Sequence, residues 1–209
     1  HGLAKFSDYV DLVHSDPVER HAMVVALTTN HTHFFREPHH FDHFREQVLP
    51  VLKRKQGPIR IWSAGCSSGE EVYSLAIQLR NAWSRWNGWQ IEILATDISG
   101  RAIEQAKAGV YSQMDVQRGL AIGDLIKWFE PHGDDWRASP ELRRMIDFRQ
   151  DNLFAARVPT GAYDLLLCRN VLLYFSPERR QSVFDLLARH SHDRSVLLLG
   201  AGETVIGQS

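Results

Sequence analysis

The sequence predicts an α/β fold with a parallel sheet covered by helices on both faces. Three observations carry that expectation. Short apolar runs, Ile59-Arg60-Ile61-Trp62, Ile91 to Thr96, Tyr163 to Cys168 and Val196 to Leu199, read as buried strands. Between them, apolar residues recur at helical spacing. The first run also ends in a small-residue turn, Ser63-Ala64-Gly65-Cys66-Ser67-Ser68-Gly69, that leads straight into a helix.

The elements follow in chain order. Phe6, Tyr9, Val10, Leu12 and Val13, then Met23, Val24 and Leu27, suit two short helices. They part at Ser15-Asp16-Pro17, where Asp16 can cap and Pro17 can take the first helical position. From about Pro38 a helix carries Phe41, Phe44, Val48 and Leu49 on one face. Val72, Leu75, Ala76, Leu79, Ala82 and Trp83 form the helix after the first strand, with Ser68 a cap candidate and Glu70 and Glu71 in its first turn. The second strand ends at Asp97, after which Ser99 caps a helix that Gly109 closes. Ser176-Pro177-Glu178 starts a helix bearing Val183, Phe184 and Leu187, and the last strand ends at Gly200. Between Tyr111 and Phe148 the alternation breaks down into polar, glycine-bearing text, which is expected to be an excursion from the main sheet.

Composition narrows the function classes. With 209 residues, 44% of them hydrophobic, the chain is long enough for one sizeable core with an appendage. Lys plus Arg number 24 against 25 Asp plus Glu, a net charge of -1, so affinity for nucleic acid through phosphate neutralisation is not expected. No apolar run approaches the roughly 20 residues that span a bilayer. Cys66 and Cys168 lie far apart with no signal peptide ahead of them, which points to buried reduced thiols and a cytoplasmic setting. A start at His1 rather than Met, and a stop at Ser209 just after a strand-like run, are expected to be fragment boundaries.

Ligands of open parallel sheets bind at the carboxyl ends of the strands. The turn from Gly65 to Gly69 lets the backbone approach a ligand closely. A phosphate cradle would carry a lysine after the last glycine, and this chain has Glu70-Glu71 instead. Asp97 stands where nucleoside-binding sheets accept hydrogen bonds from ribose hydroxyls. A nucleoside cofactor with a positive group and no phosphate fits best, and S-adenosylmethionine is such a molecule. The plainer alternative is that Glu70 and Glu71 only favour the helix dipole, by ~0.3 to 1 kcal/mol.

Four motifs in register then carry a resemblance. Thr29-Asn30-His31-Thr32-His33-Phe34-Phe35-Arg36-Glu37, Gly65 to Glu71, Ala95-Thr96-Asp97-Ile98 and Cys168-Arg169-Asn170-Val171-Leu172-Leu173-Tyr174-Phe175 together resemble the CheR family of chemotaxis receptor methyltransferases, from Phe6 to Thr204. The resemblance implies a class I, Rossmann-like S-adenosylmethionine-dependent methyltransferase sheet over residues 28–209. A small antiparallel subdomain would be inserted at 112–147, and residues 1–27 would be the remainder of an N-terminal helical domain. The implied reaction moves a methyl group from S-adenosylmethionine to glutamates in the cytoplasmic helical region of chemoreceptors, leaving S-adenosylhomocysteine. Implied cofactor contacts are Asn30, Thr32, Arg36, Glu70, Asp97, Asn152, Leu153, Asn170 and Val171, beside the Gly65 turn.

Arg36 and Tyr174 are the expected catalytic pair, Arg36 orienting the acceptor carboxylate and Tyr174 donating a hydrogen bond or bordering the methyl group. Read without the resemblance, Arg36 could form a surface ion pair with Glu37 and Tyr174 could be core. Val72 replaces the proline usual in the second motif, at a small cost in rigidity. The stretch around Pro131 to Trp136 is short for the loop that docks a receptor pentapeptide in some members, so independence of that peptide is expected. The basic helix of the N-terminal domain is not legible. A monomer with no membrane insertion is expected. His39 and His43 stand at i, i+4 near His31, His33 and His40, yet nothing is placed to complete a tetrahedral site, and no metal is expected. A methyltransferase with another acceptor and a cofactor-binding regulatory module remain the alternatives.

Overall fold

The computed structural model describes residues 1–3, 5–28, 31–82, 90–155, 158–159 and 161–205. The chain divides into two compact units, residues 1–31 and 32–209. The first is a helical pair, α1 (Phe6–Ser15) and α2 (Pro17–Leu27). Asp16 breaks the chain between them as expected: its carboxylate accepts from the N–H groups of Val18 and Glu19, and Pro17 opens α2. The Tyr9 hydroxyl donates to Glu19 across the pair at 2.9 Å.

In the second unit, α3 (Pro38–His43) runs through a π-helical turn, Phe44–Val48, into α4 (Leu49–Leu52). The wide turn keeps Phe41, Phe44, Val48, Leu49 and Leu52 all buried. Then come β1 (Ile59–Ala64), α5 (Glu70–Ala82), β2 (Ile91–Asp97), α6 (Gly100–Ala108) and β3 (Val110–Tyr111). They are followed by α7 (Gln113–Gln117), α8 (Ile122–Trp128), β4 (Phe129–His132), β5 (Asp135–Ala138), α9 (Pro140–Arg143) and β6 (Ile146–Gln150). The chain closes with β7 (Leu165–Cys168), α10 (Pro177–Arg189) and β8 (Val196–Leu199).

Five strands form one sheet in the order β6-β2-β1-β7-β8, every pair parallel. Alternate residues of one strand enter different cores. Ile59 and Ile61 join Ile93 and Leu165 beneath α5 and the α3–α4 rod, while Trp62 and Ala64 join Leu94, Leu166 and the α10 residues Val183, Leu186 and Leu187. Burial on both faces explains why β1, β2 and β7 read as continuous apolar text. The order reverses between β1 and β7, which opens a crevice at their carboxyl ends.

Several local expectations change. Ile146–Gln150 belongs to the main sheet, paired with β2, although the sequence marks an excursion as far as Phe148. As an edge strand it buries only Ile146 and Phe148, so it lacks the apolar run of its neighbours. Ser99 and Ser176 cap α6 and α10 through their side chains. Ser68 does not cap α5, because its hydroxyl donates to the Glu70 carboxylate. On α10, Leu186 is buried where Phe184 was expected, and Phe184 is half-buried.

The excursion is a small antiparallel sheet, β3-β5-β4. It meets the main sheet through Tyr111, whose ring packs edge-on against Phe34 at 5.0 Å and whose buried hydroxyl donates to the Ser68 carbonyl at 2.7 Å. Tyr111→Phe strands that carbonyl in the core. The expected cost is about 1–3 kcal/mol, read as a lowered urea midpoint at unchanged slope.

Candidate functional site

The crevice is built from the carboxyl ends of four adjacent strands, β6, β2, β1 and β7. Leaving β1, the N–H groups of Gly65 and Cys66 both donate to the Thr96 carbonyl of β2 at 2.8 and 3.0 Å. Asp97 closes the same corner: one carboxylate oxygen accepts from Ser67 N–H at 2.8 Å and the other from Ser99 N–H at 2.9 Å. Its carbonyl accepts from Asp151 N–H at 2.9 Å, which brings the chain leaving β6, and so Asn152, to the same end. A carboxylate offers about four acceptor positions, and the backbone donors Ser67, Ser99 and Ile98 leave room for a ligand hydroxyl on Asp97.

Gly65 is required where it stands. Its φ is +85°, and a Cβ there would overlap the Cγ2 methyl of Val171. The turn after β1 therefore touches the turn after β7, across the point where the strand order reverses. Cys66 and Cys168 end these neighbouring strands as buried free thiols, and burial pushes both upward in pKa.

Glu70 is only 5% exposed and is held by the Ser68 hydroxyl. Burial raises its pKa, and burial likewise raises that of Asp97. Glu71 faces the other way and pairs with Arg169 at 2.9 Å while accepting from the Ser63 hydroxyl.

Arg169, directly after β7, has a side chain only 1% exposed. It donates to the Arg36 carbonyl at 2.6 Å, to Glu37 at 3.2 Å and to His40 Nδ1 at 3.2 Å. The segment that carries Arg36 is fixed a second time, because Phe35 N–H donates to the Ser74 hydroxyl of α5 at 2.9 Å. Burial alone would raise the Glu37 pKa, but donors from Asn170 and Arg169 hold it below the ordinary value. Asn170 reaches Glu37 with its side-chain amide at 3.3 Å.

The expected residues thus fall into groups. Gly65, Asp97, Asn170 and Val171 stand at the carboxyl ends of β1, β2 and β7, Glu70 opens α5 after the β1 turn, and the Arg36 backbone is tied to Arg169. Asn152 is exposed, and its side-chain oxygen accepts from Phe154 N–H at 3.0 Å, while Leu153 packs on the core shared with α10. Thr32 is half-buried ahead of the Phe34–Phe35 turn. Asn30 lies outside the described residues. Tyr174 is 62% exposed at the end of a short 3-10 turn, so its reading as core is overturned. The Glu37 carboxylate faces Arg169, Asn170 and the Ala201 N–H.

Sequence reasoning singled out Glu71 only as an acid of the first helical turn that could attract a cationic ligand, where the structure pairs it with Arg169. It missed the roles of Arg169 and Glu203, the latter of which accepts from the N–H groups of Asn170, Val171 and Leu172. The one signal for Arg169 was a charge set inside apolar text, Leu165 to Leu173. Among the histidines the ligand atoms that approach within 4.8 Å belong to Glu37, His39 and His40, not to the His39 and His43 pair. Arg169 already occupies Glu37 and His40 there, which opposes a cation.

The donor set fits S-adenosylmethionine. Two acids with no paired cation among the described residues, Glu70 and Asp97, stand at the carboxyl ends of β1 and β2, and no lysine follows the turn to call for phosphate. The buried Ser67 Oγ has no hydrogen-bond partner, leaving a polar atom for a ligand in the same loop.

Comparison with known proteins agrees. The family described as CheR methyltransferase, SAM binding domain, matches residues 30–209. A chemotaxis protein methyltransferase of Vibrio parahaemolyticus is 38% identical over 210 residues, covering 98% of this chain and 76% of that protein. Chemotaxis protein methyltransferase 1 of Pseudomonas aeruginosa is 36% identical over 193 residues, 89% of this chain and 70% of that protein. The chemotaxis protein methyltransferase of Borreliella burgdorferi is 34% identical, covering 99% of this chain and 76% of that protein. With an acid-lined crevice at the strand-order reversal and relatives of this identity along nearly its whole length, the chain belongs to the CheR family of S-adenosylmethionine-dependent methyltransferases.

Proposed function

We propose that the chain methylates glutamate side chains in the cytoplasmic helical region of chemoreceptors, forming carboxyl methyl esters, and that it does so as a cytoplasmic monomer. The observation that supports this reading is the contact of the Gly65 turn with Val171 at the strand-order reversal, beside Asp97 at the end of β2, with the Arg36 backbone tied to the same β7 end through Arg169.

When bound, S-adenosylmethionine supplies a methyl group on a positively charged sulfur. Asp97 would accept from the ribose hydroxyls, Glu70 would face the cationic end, and Asn152 with Leu153 would contact the base. Asn30, Thr32 and Arg36 would complete the site from the first motif. The acceptor needs no general base, since a glutamate with a pKa of ~4.3 is already ionised at neutral pH. Placement is the main demand, and aligned reactants can gain roughly 7 to 11 kcal/mol. Arg36 would orient the acceptor carboxylate, and Tyr174 would donate a hydrogen bond or border the methyl group. Opposite charges are lost as the methyl moves, so a strongly polar pocket would favour the ground state. The tight β4–β5 connection through Gly133 and Asp134 supports action without a receptor C-terminal pentapeptide.

The decisive experiment incubates the chain with methyl-labelled S-adenosylmethionine and a chemoreceptor cytoplasmic region, with and without the C-terminal pentapeptide. Equal, alkali-labile label is expected from both receptor forms, and Asp97→Ala abolishes it. Alkali-stable label would assign another acceptor chemistry, and cofactor binding without label would assign a regulatory module.

Tyr174→Phe is expected to lower kcat while S-adenosylhomocysteine affinity by calorimetry holds. Because the ring is 62% exposed, stability should shift by no more than about 0.5 kcal/mol.

The raised acids set a pH dependence. Burial lifts Glu70 above 4.5 and Asp97 above 3.8, so the folded protein holds these protons longer than the unfolded chain. Their effect on stability is therefore favourable at low pH and is lost as pH rises through the folded values. A cationic ligand requires the ionised forms. Affinity for S-adenosylmethionine is expected to fall on acidification, beginning above the ordinary carboxylate range because both acids are raised, and Glu70→Gln should flatten the calorimetric profile.

A further inference from the structure

Glu203 lies just beyond β8, and both oxygens of its carboxylate are fully used. Oε2 accepts from Gly200 N–H at 2.7 Å and from Asn170 N–H at 2.8 Å. Oε1 accepts from Val171 N–H at 2.8 Å and from Leu172 N–H at 2.7 Å. A carboxylate offers about four acceptor positions, so backbone donors saturate this one. Charge assistance makes each bond shorter and stronger than a neutral pair.

The donors come from the segment that carries the crevice residues. Asn170 sits in the left-handed region at φ +60°, a conformation that a non-glycine residue keeps only when its surroundings hold it. Val171 packs against Gly65, and Tyr174 follows within the same turn. Gly200 supplies the space, for a Cβ there would stand 2.6 Å from the Asn170 side-chain nitrogen.

We infer that Glu203 is a positioning residue for methyl transfer: its carboxylate gathers the N–H groups of Asn170, Val171 and Leu172 and so fixes Asn170, Val171 and Tyr174 against the crevice. The inference rests on the methyl-transfer reading of that crevice. Glutamine is the informative replacement. It keeps shape and length, but its NH2 faces two of the backbone donors, which turns two attractions into repulsions.

The test compares the full chain with Glu203→Gln and Glu203→Asp by calorimetry with S-adenosylhomocysteine, by label transfer and by amide hydrogen exchange. Glu203→Gln is expected to weaken S-adenosylhomocysteine binding about tenfold and to lower kcat about a hundredfold, since small misplacements cost this much. Exchange at residues 170–172 should accelerate while β1 and β7 stay protected. Glu203→Asp, which retains charge and acceptor positions, should recover part of both losses. Wild-type affinity and kcat in Glu203→Gln would overturn the inference, as would a lowered thermal midpoint with unchanged binding and turnover.

Should the glutamine variant fail to fold, the wild-type protein decides. Slow exchange of the Asn170, Val171 and Leu172 amides supports the anchor, and unprotected amides there overturn it. Wild-type protein that binds no S-adenosylhomocysteine would instead overturn the functional reading, while the exchange data still report on the anchor.

Discussion

A guanidinium taken almost wholly out of water holds three separate pieces of chain together. Arg169 stands at the end of β7, pairs with Glu71 in the first turn of α5, and donates to Arg36 and Glu37 in the loop ahead of α3. It also lies over the Phe41 ring at 5.4 Å. A planar group with several fixed donors can serve these partners at once, which a lysine could not do. The loop it holds needs the support. Phe35 and Glu37 both adopt left-handed backbone, at φ 50° and 58°, and such conformations cost about 1–3 kcal/mol each. If Arg169 were lost, two partly buried carboxylates would face one another without compensation.

The acids around the crevice divide by what satisfies them. Glu37 and Glu71 are neutralised by Arg169, and Glu203 by backbone N–H groups. Glu70 and Asp97 are held only by hydroxyl and N–H donors, and among the described residues no cation pairs with either. Among the described residues the one buried arginine thus serves the scaffold, and Glu70 and Asp97 are left with a preference for a cation.

Local grammar was legible and distant partnership was not. Asp16, Ser99 and Ser176 announce helix starts because a cap acts within three residues of itself. The strands β1, β2 and β7 announce themselves because burial on both faces leaves few polar positions. β6 was hidden by its place at the sheet edge, and the π-helical turn at Phe44–Val48 by having the same apolar spacing as an ordinary helix. The crevice residues Gly65, Glu70, Asp97 and Asn170 were found from their motifs, but the groups that hold them were not. Arg169 meets Glu71 across 98 positions and Glu37 across 132, and Glu203 reaches Val171 across 32, so no window of local text contains both partners.

The exposure of Tyr174 bears on how the crevice is kept dry. Its ring sits at the surface next to Leu173, which also presents apolar area outward. Under the proposed reaction, this rim is open until the acceptor arrives, and the acceptor's own backbone and neighbouring side chains must exclude solvent around the reacting carboxylate. The receptor is then half of its own active site, and a free carboxylic acid of the right chemistry but no bulk would be a poor acceptor. Discrimination among acidic side chains would accordingly reside in the relief of the surface around each glutamate more than in the glutamate itself.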